Sequence, residues 1–397
     1  MACPPSRGGD GGATPVLTLG EILRASLPGY GHAHRMPAHH WKVLNALSRC
    51  RTAALGGHRY RCAHCGGEHF VPHSCRNRHC PACQGANSHQ WLAQQQAVLL
   101  PVAYFHLVFT LPHALNALIA QNQAALYKLL FAAASQTLQG FAQQKFAAQL
   151  GITAVLHTWG QTLIDHYHLH CLVTGGGLTI DGQRWVKTHP RYLFAVRALS
   201  AVFRAKFCAG LQRLHSAGQL QFHGSVQPLA AAAAFQQLVR TVCATDWVVY
   251  SKRPFAGPEQ VLAYLSRYTH RVGLSNRRLV DFDGQRVTFR YKDYADENRH
   301  KTMRLAVAEF VRRLRLHILP ERFVKIRHYG LLANRDRHSR IAVARRRLGQ
   351  PEAPVVAATA RVAPPLLCPH CGRSELVLVR VVHAPRRRPP VAVLDSS

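Results

Sequence analysis

The chain has 397 residues, with 50 lysines and arginines against 18 aspartates and glutamates, so its formal net charge is +32 before the 26 histidines are counted. Hydrophobic residues make up 48% of the chain, which is enough for a buried core, so the basicity is not that of a wholly disordered protein. No apolar run reaches the roughly 20 residues that span a bilayer, and residues 1–10 lack the apolar stretch of a signal peptide. These features predict a cytoplasmic protein of two or three domains that binds nucleic acid and has no membrane partner.

The amino-acid composition of the N-terminal part of the chain changes near residue 50. Residues 1–49 begin rich in Gly and Pro and continue with the mixed apolar spacing of short helices, so we expect a helical lead-in. Residues 50–100 are dense in Cys, His, Arg and Gly, which is typical of a small module that metal holds together, and they end in a helical pattern over 86–100. This segment is predicted to be a zinc-binding domain with a connecting helix.

Strand and helix patterns alternate through residues 101–349. Strand-like runs cover 102–111, 152–159, 167–174 and 246–250, and helical patterns cover 113–150, 194–215, 230–244 and 258–271. A hairpin over 278–291 is predicted to turn at Asp283 and Gly284. Residues 350–397 form a Pro- and Arg-rich tail with one further Cys-x-x-Cys pair. We therefore expect one mixed domain over 101–349, followed by the tail.

The twelve cysteines are spaced for metal binding rather than for a disulfide framework. Fourteen residues separate the pair Cys62 and Cys65 from the pair Cys80 and Cys83, and four thiolates at this spacing can close a tetrahedron around Zn²⁺. Between the pairs lie two alternative ligands, and a further thiol lies upstream, so the pattern is compatible with one zinc or two. The alternatives are Cys75 and His79, and the upstream thiol is Cys50.

The second constellation is a pair of histidines on a predicted strand. His168 and His170 point to one face because side chains alternate along a strand, while Leu169 points to the other. His157, on the preceding strand, can approach the pair across a sheet and is the candidate third ligand. Imidazoles that leave open coordination positions suit a divalent ion that polarises a phosphate, although ordinary core or surface histidines remain the alternative.

The third constellation is a pair of tyrosines four residues apart on a predicted helix. Tyr264 and Tyr268 share one helical face and are interleaved with Arg267 and Arg271. Tyrosines at this spacing commonly pack in a core. Beside a metal site, however, a phenolate can attack phosphorus and form a covalent phosphotyrosine link.

In this order, the cysteine module, the histidine pair and the tyrosine helix resemble the rolling-circle HUH transposases of the insertion-sequence ninety-one family. The resemblance covers roughly residues 50–348. It is carried by CRTAALGGHRYRCAHCG with SCRNRHCPACQ, and by FHLVFTLPH, LHTWGQTLIDHYHLHCLVTGGGL, WVVYSKRPFAGPEQVLAYLSRYTHRVGLSNRRL and KIRHYGLLANR. It implies an α+β fold with a zinc-bound N-terminal module, an HUH endonuclease core whose antiparallel sheet is flanked by helices, and a basic, partly disordered C-terminal tail.

The resemblance also implies an activity, namely single-strand DNA cleavage and strand transfer in rolling-circle transposition. His168 and His170 would hold catalytic Mg²⁺ or Mn²⁺, and Tyr264 or Tyr268 would become linked to the 5′ phosphate. Structural Zn²⁺ is the second expected cofactor, and DNA at the element ends and at the target is the expected partner. Phosphate contacts are expected from Arg76, Arg78, Arg267, Arg271, Arg277 and Arg278.

Two other functions are compatible with the same residues. A replication initiator or relaxase would share the chemistry and differ in its DNA partner. A non-enzymatic zinc-module regulator would use the histidines and tyrosines only for packing. The pair Cys368 and Cys371 has no second half nearby in the sequence, so a structural turn and a partial zinc site are both open for it.

Overall fold

The computed structural model describes residues 17–84, 95–96, 98–255, 260–261, 272–294, 296–350 and 366–385, with backbone alone at 253–255. Its helices are α1 (Leu19–Ala33), α2 (Ala38–Ser48), α3 (Asn116–Gln121), α4 (Gln123–Phe146), α5 (Val196–Ser216), α6 (Ala232–Ala244), α7 (Val307–Leu316) and α8 (Arg337–Arg347). Its strands are β1 (Gly56–Cys62), β2 (Glu68–Pro72), β3 (Tyr104–Thr110), β4 (Ala148–Trp159), β5 (Asp165–Thr179), β6 (Trp185–Lys187), β7 (Val249–Phe255), β8 (Leu279–Phe282), β9 (Arg286–Asp293), β10 (Arg299–Ala306), β11 (Ile326–Gly330) and β12 (Leu376–His383). This confirms the predicted α+β class.

The largest sheet is antiparallel and has the strand order β11-β4-β5-β3-β7, with the short β6 also paired to β5. The two longest strands, β4 and β5, are adjacent, and they pair along most of their length. β5 is therefore central, with β4 on one side and β3 on the other. The backbone of β5 is therefore hydrogen-bonded to a strand on each side, which determines the face of the sheet to which each of its side chains points.

Helices cover one face of this sheet. Alternate residues of β3, β4 and β5 form a single buried core with α4, α5 and α6; from β5 these are Tyr167, Leu169, Cys171 and Val173. The intervening residues of β5, His168 and His170, point to the opposite face because side chains alternate along a strand. The helical layer thus stabilises the sheet without covering the histidines.

A second buried core joins the N-terminal helices to a separate three-stranded sheet of order β10-β9-β8. Leu23 of α1 and Leu44 of α2 are fully buried in it, together with Phe289 of β9 and Phe310 of α7. α1 begins in a capping box, in which Thr18 and Glu21 satisfy each other's backbone amides. The N-terminal segment is therefore packed against the later part of the chain.

The remaining sheet, of order β12-β1-β2, joins residues from the two ends of the chain. β12 pairs antiparallel with β1, so that Cys62 lies opposite Leu376. We call this the tail sheet. The C-terminal tail was predicted to be partly disordered, and within the described residues 366–385 form a turn and the strand β12.

Several element boundaries differ from the predictions. The helical pattern over 113–150 divides into α3 and α4 and ends at Phe146, where Ala147 adopts a left-handed conformation (φ 46°) and the chain enters β4. The predicted hairpin turning at Asp283 is present, and a third strand, β10, continues it. Cys208 of α5 and Cys243 of α6 form a disulfide, an exception to the expectation that the cysteines serve metal binding. Among the described residues, no helix is both long and apolar enough to cross a bilayer.

Candidate metal centre and adjoining cleft

Three histidines converge on the face of the sheet opposite the layer formed by α4, α5 and α6. His157 of β4 lies directly opposite His168 of β5, and His170 follows two residues later on the same face. One ring nitrogen from each lies within 4.8 Å of the other two, and the Nε2 atoms of His168 and His170 are 3.1 Å apart. The predicted approach of His157 across the sheet is therefore present, and the group could hold one metal ion.

Hydrogen bonds orient two of the three rings. Nδ1 of His168 lies 2.9 Å from the carbonyl oxygen of His166, and Nδ1 of His170 lies 2.9 Å from Nε2 of His106 on β3. When the Nδ1 protons are donated in these bonds, the Nε2 lone pairs are free for a metal. This is the outer-shell arrangement that fixes histidine ligands at metal sites.

Burial keeps the imidazoles of His168 and His106 neutral at physiological pH. It lowers the pKa of His168 to about 3, with a smaller effect from His166 in the same direction. It also lowers the pKa of His106 to about 3, and the charge of Lys252 adds to that effect. A neutral imidazole is the form that binds metal, so His168 needs no deprotonation step near pH 7.

A cleft of 790 Å³ opens beside the three histidines. The wall opposite the histidines is formed by the end of β9, the residue after it and the residue before β8. These residues are Tyr291, Lys292, Asp293, Tyr294 and Arg278. Trp159, at the end of β4, stacks on His157 with ring centroids 4.8 Å apart and an interplanar angle of 18°. Aromatic faces beside cations form the kind of surface on which unpaired bases stack.

Arg278 braces this cleft. Its guanidinium donates hydrogen bonds to the carbonyl oxygens of Gly273 (3.0 Å), Arg290 (2.7 Å) and Gln161. These bonds tie the β4–β5 connection to β9. The predicted role of Arg278 was phosphate contact, and the structure adds this bracing role, which the sequence did not predict.

The other predicted basic contacts divide into three groups. Arg76 and Arg277 are exposed to solvent. Arg78 is half-buried and donates to the carbonyl oxygen of Phe323, and burial lowers its pKa. Arg267 and Arg271 lie outside the described residues.

The candidate nucleophiles Tyr264 and Tyr268 also lie outside the described residues. The described residues on either side of them are informative. Val261 is fully buried against Leu172 and Tyr104, on the histidine face of the sheet. At the other end, a side chain on Gly273 would lie 3.4 Å from Trp159. Val261 thus packs on the same face of the sheet as the three histidines, and Gly273 lies close to Trp159 at the end of β4.

The cysteines form two separate groups of four, which differs from the predicted grouping. Cys80 and Cys83 meet Cys50 and Cys75, with Sγ–Sγ distances of 3.5 to 3.7 Å. Cys62 and Cys65 meet a different pair, Cys368 and Cys371. Because β1 and β2 carry the first Cys-x-x-Cys pair away into the tail sheet, the two pairs nearest in sequence do not share a site.

Of the two alternative zinc ligands that the sequence offered, one belongs to a cysteine group. Cys75, an alternative ligand in the prediction, belongs to the first group, whereas His79 belongs to neither. His79 is half-buried instead, and this desolvation lowers its pKa to about 3. His106 was not predicted at all, although its alternation with Phe105 and Leu107 on β3 was a signal that it shares the face of the histidine pair.

Comparison with known proteins places the chain in a family. A family described as "Transposase zinc-binding domain" matches residues 22–111, and one described as "Putative transposase" matches residues 151–340. The "Putative transposase y4qJ" of Sinorhizobium fredii is 46% identical over 332 residues, which cover 83% of this chain and 82% of that protein.

The "Transposase for insertion sequence element IS801" of Pseudomonas savastanoi pv. phaseolicola is 28% identical over 301 residues, which cover 74% of this chain and 70% of that protein. No solved structure matches the chain. The matched regions contain the cysteine group at 50–83 and all three histidines of the candidate metal site. The chain therefore belongs to the insertion-sequence ninety-one family of transposases and has a zinc-binding domain in its N-terminal part.

Proposed function

We propose that this transposase nicks single-stranded DNA and transfers the strand through a covalent 5′-phosphotyrosine intermediate, as rolling-circle transposition requires. One observation carries the proposal: His157, His168 and His170 bring three metal-binding nitrogens together at the edge of an open cleft. A site used only for packing would not need three imidazoles whose ring nitrogens converge on one point. The enzyme class proposed is an HUH single-strand DNA endonuclease and strand transferase.

The donor set fits a catalytic divalent cation. Three imidazole nitrogens leave coordination positions on the cleft side for water and phosphate oxygens. Nitrogen donors suit Mn²⁺ better than Mg²⁺, which prefers oxygen ligands, so we expect the stronger activity with Mn²⁺. When bound, the ion neutralises charge that develops on the phosphate oxygens and orients the phosphate for attack.

Tyr264 or Tyr268 supplies the nucleophile in this proposal. The burial of Val261 against Leu172 and Tyr104 supports it, because Val261 precedes Tyr264 by three residues in sequence and packs on the face of the sheet that carries the histidines. The phenolic oxygen attacks phosphorus, the bond from phosphorus to the 3′ oxygen breaks, and the tyrosine becomes joined to the 5′ phosphate. The phenol loses its proton to solvent, and the departing 3′ oxygen takes one up as a hydroxyl. No nucleotide cofactor is needed, because the phosphodiester energy is kept in the new bond.

The cleft beside the three histidines is proposed to hold the unpaired DNA strand. Trp159 and Tyr294 offer aromatic faces at its two sides, and Tyr294 is 65% exposed, so a base could stack on it without rearrangement. Lys292 lies over the Tyr294 ring at 5.6 Å and places a positive charge beside that face. The net charge of +32 favours binding to the DNA backbone, both at the element ends and at the target.

We assign structural zinc of the N-terminal domain to Cys50, Cys75, Cys80 and Cys83. A tetrahedron with Zn–S bonds of about 2.3 Å has edges of about 3.8 Å, close to the 3.5 to 3.7 Å observed. The same thiols line the second hydrophobic core, beside α1 and α2. Zinc there would fix the N-terminal helices against the β8–β10 sheet.

The test is cleavage of end-labelled single-stranded oligonucleotides that tile the ends of the element, with Mn²⁺, with Mg²⁺ and with chelator. The proposal predicts metal-dependent cleavage that is lost in His168→Ala and His170→Ala. His338→Ala is the matched control, since His338 is exposed on α8, away from the cleft, and its loss should leave cleavage unchanged. DNA binding without cleavage by the wild-type protein under every metal condition would instead indicate a non-enzymatic binder.

A further inference from the structure

The second group of four cysteines joins the two ends of the described chain. Cys62 is the last residue of β1, Cys65 follows that strand, and Cys368 and Cys371 precede β12. The partners are 303 and 309 residues apart in sequence. The matched zinc-binding family region ends at residue 111 and does not include the second pair. We propose that these four thiolates bind a second zinc ion, which fastens the C-terminal tail to the N-terminal domain.

The sulfur positions fit a tetrahedral metal. Sγ of Cys62 lies 3.7 Å from Sγ of Cys371, and Sγ of Cys65 lies 3.6 Å from Sγ of Cys368. A Zn(Cys)₄ tetrahedron has edges of about 3.8 Å, whereas a disulfide needs a separation near 2.05 Å. The spacing therefore matches that in the first cysteine group, where we assign the structural zinc.

The two halves of the site have the same local backbone. In each, the first cysteine's carbonyl accepts a hydrogen bond from the glycine that follows the second cysteine: Gly66 to Cys62 at 2.9 Å and Gly372 to Cys368 at 2.8 Å. Both glycines are left-handed, with φ of 71° and 73°. This turn is the form that a Cys-x-x-Cys-Gly segment takes when both thiolates face one ion.

The tail sheet has strand pairing and surface ion pairs from Glu68 to Arg59 and Arg61, but little apolar packing among the described residues. Among the described residues, no member of β12, β1 or β2 belongs to any of the hydrophobic cores. Val377, Val379 and Val381 of β12 are 39% to 59% exposed. A three-stranded sheet without a core is marginal in water, so a metal ion is the natural means of holding it. The same ion would close a loop of about 300 residues.

Zinc content of the full chain tests the proposal. Native mass spectrometry with elemental analysis should find two zinc ions per wild-type chain. Cys368→Ser/Cys371→Ser should retain one zinc ion, and so should Cys75→Ser/Cys80→Ser, which removes the other site. Buried Cys171 is a thiol outside both groups, so Cys171→Ala is the matched control and should retain two.

A second measurement distinguishes detachment of the C-terminal tail from general unfolding of the protein. Trypsin should cleave at Arg373 and Arg380 in Cys368→Ser/Cys371→Ser at least tenfold faster than in the wild type, while the far-ultraviolet circular dichroism of the two proteins stays alike. Two zinc ions in that variant, or one in the wild type, would overturn the proposal. Iron in the site, or disulfide-linked peptides joining the two pairs, would overturn it equally.

Discussion

The positioning of His170 by His106 leads to a quantitative prediction. The Nδ1 of His170 lies 2.9 Å from Nε2 of His106, a residue that is itself only 3% exposed. If His170 binds metal through Nε2, its Nδ1 proton must be donated to His106. Replacing His106 with leucine keeps the apolar volume and removes this acceptor, so the ring of His170 loses the bond that fixes its orientation and tautomer.

Loss of such an outer-shell partner typically lowers metal affinity by about 10- to 100-fold. That is about 1.4 to 2.7 kcal/mol of binding free energy. We therefore expect His106→Leu to raise the Mn²⁺ concentration for half-maximal cleavage by that factor, with a smaller change in the rate at saturating Mn²⁺. The assay is a Mn²⁺ titration of oligonucleotide cleavage, with Mn²⁺ affinity measured separately by calorimetry.

His106→Gln is the matched control, because its amide oxygen can accept the same proton and should recover most of the affinity. An unchanged Mn²⁺ requirement in His106→Leu would refute the reasoning. Equal losses in the leucine and glutamine variants would also refute it, since a general packing defect rather than the hydrogen bond would then be responsible.

Three further predictions address packing, DNA contact and pH. Phe203 is fully buried among Phe109 and Trp247, so Phe203→Ala should lower the free energy of unfolding by about 3 to 5 kcal/mol in chemical denaturation, and a loss below 1 kcal/mol would contradict the assigned core. Tyr294→Ala should weaken single-stranded DNA binding by about 1 to 3 kcal/mol in a fluorescence titration, whereas exposed Tyr192, outside the cleft, should be replaceable without effect. Burial lowers the pKa of His317 to about 4, so between pH 6.5 and pH 4 the unfolded state binds a proton that the folded state does not. As the pH is lowered through this range, the free energy of unfolding should therefore decrease by up to about 3 kcal/mol from this group. His317→Gln should reduce this pH dependence in urea titrations, and an unchanged pH dependence would contradict the shift.

The sequence predicted the elements that carry strong local periodicity. The strands over 152–159 and 167–174 appear within β4 and β5, and the alternation in His168-Leu169-His170 correctly placed both imidazoles on one face. The position of His157 could also be predicted, because adjacent antiparallel strands of similar length bring residues such as His157 and His168 opposite each other. These features depend on near neighbours in the chain or on adjacent strands.

What the sequence did not predict depends on distant pairing. Cys62 and Cys65 have their partners in Cys368 and Cys371, about 300 residues away, and no local pattern marks which pair meets which. The same holds for His106, whose role follows from the pairing of β3 with β5. Spacing alone favoured the nearest pair, and the insertion of β1 and β2 between the ligands of the first cysteine group made that grouping wrong. The proposed division at residues 50, 101 and 350 remains a prediction.

The most direct test of the central claim is the identity of the residue that becomes covalently joined to DNA. The purified protein is incubated with Mn²⁺ and a cleavable single-stranded oligonucleotide, digested with protease, and the nucleotide-bearing peptide is sequenced by mass spectrometry. The account predicts a 5′-phosphate adduct on Tyr264 or Tyr268, which disappears in the Tyr264→Phe/Tyr268→Phe variant and in His168→Ala. Cleavage that proceeds without any adduct, or an adduct on a residue outside this segment, would contradict it.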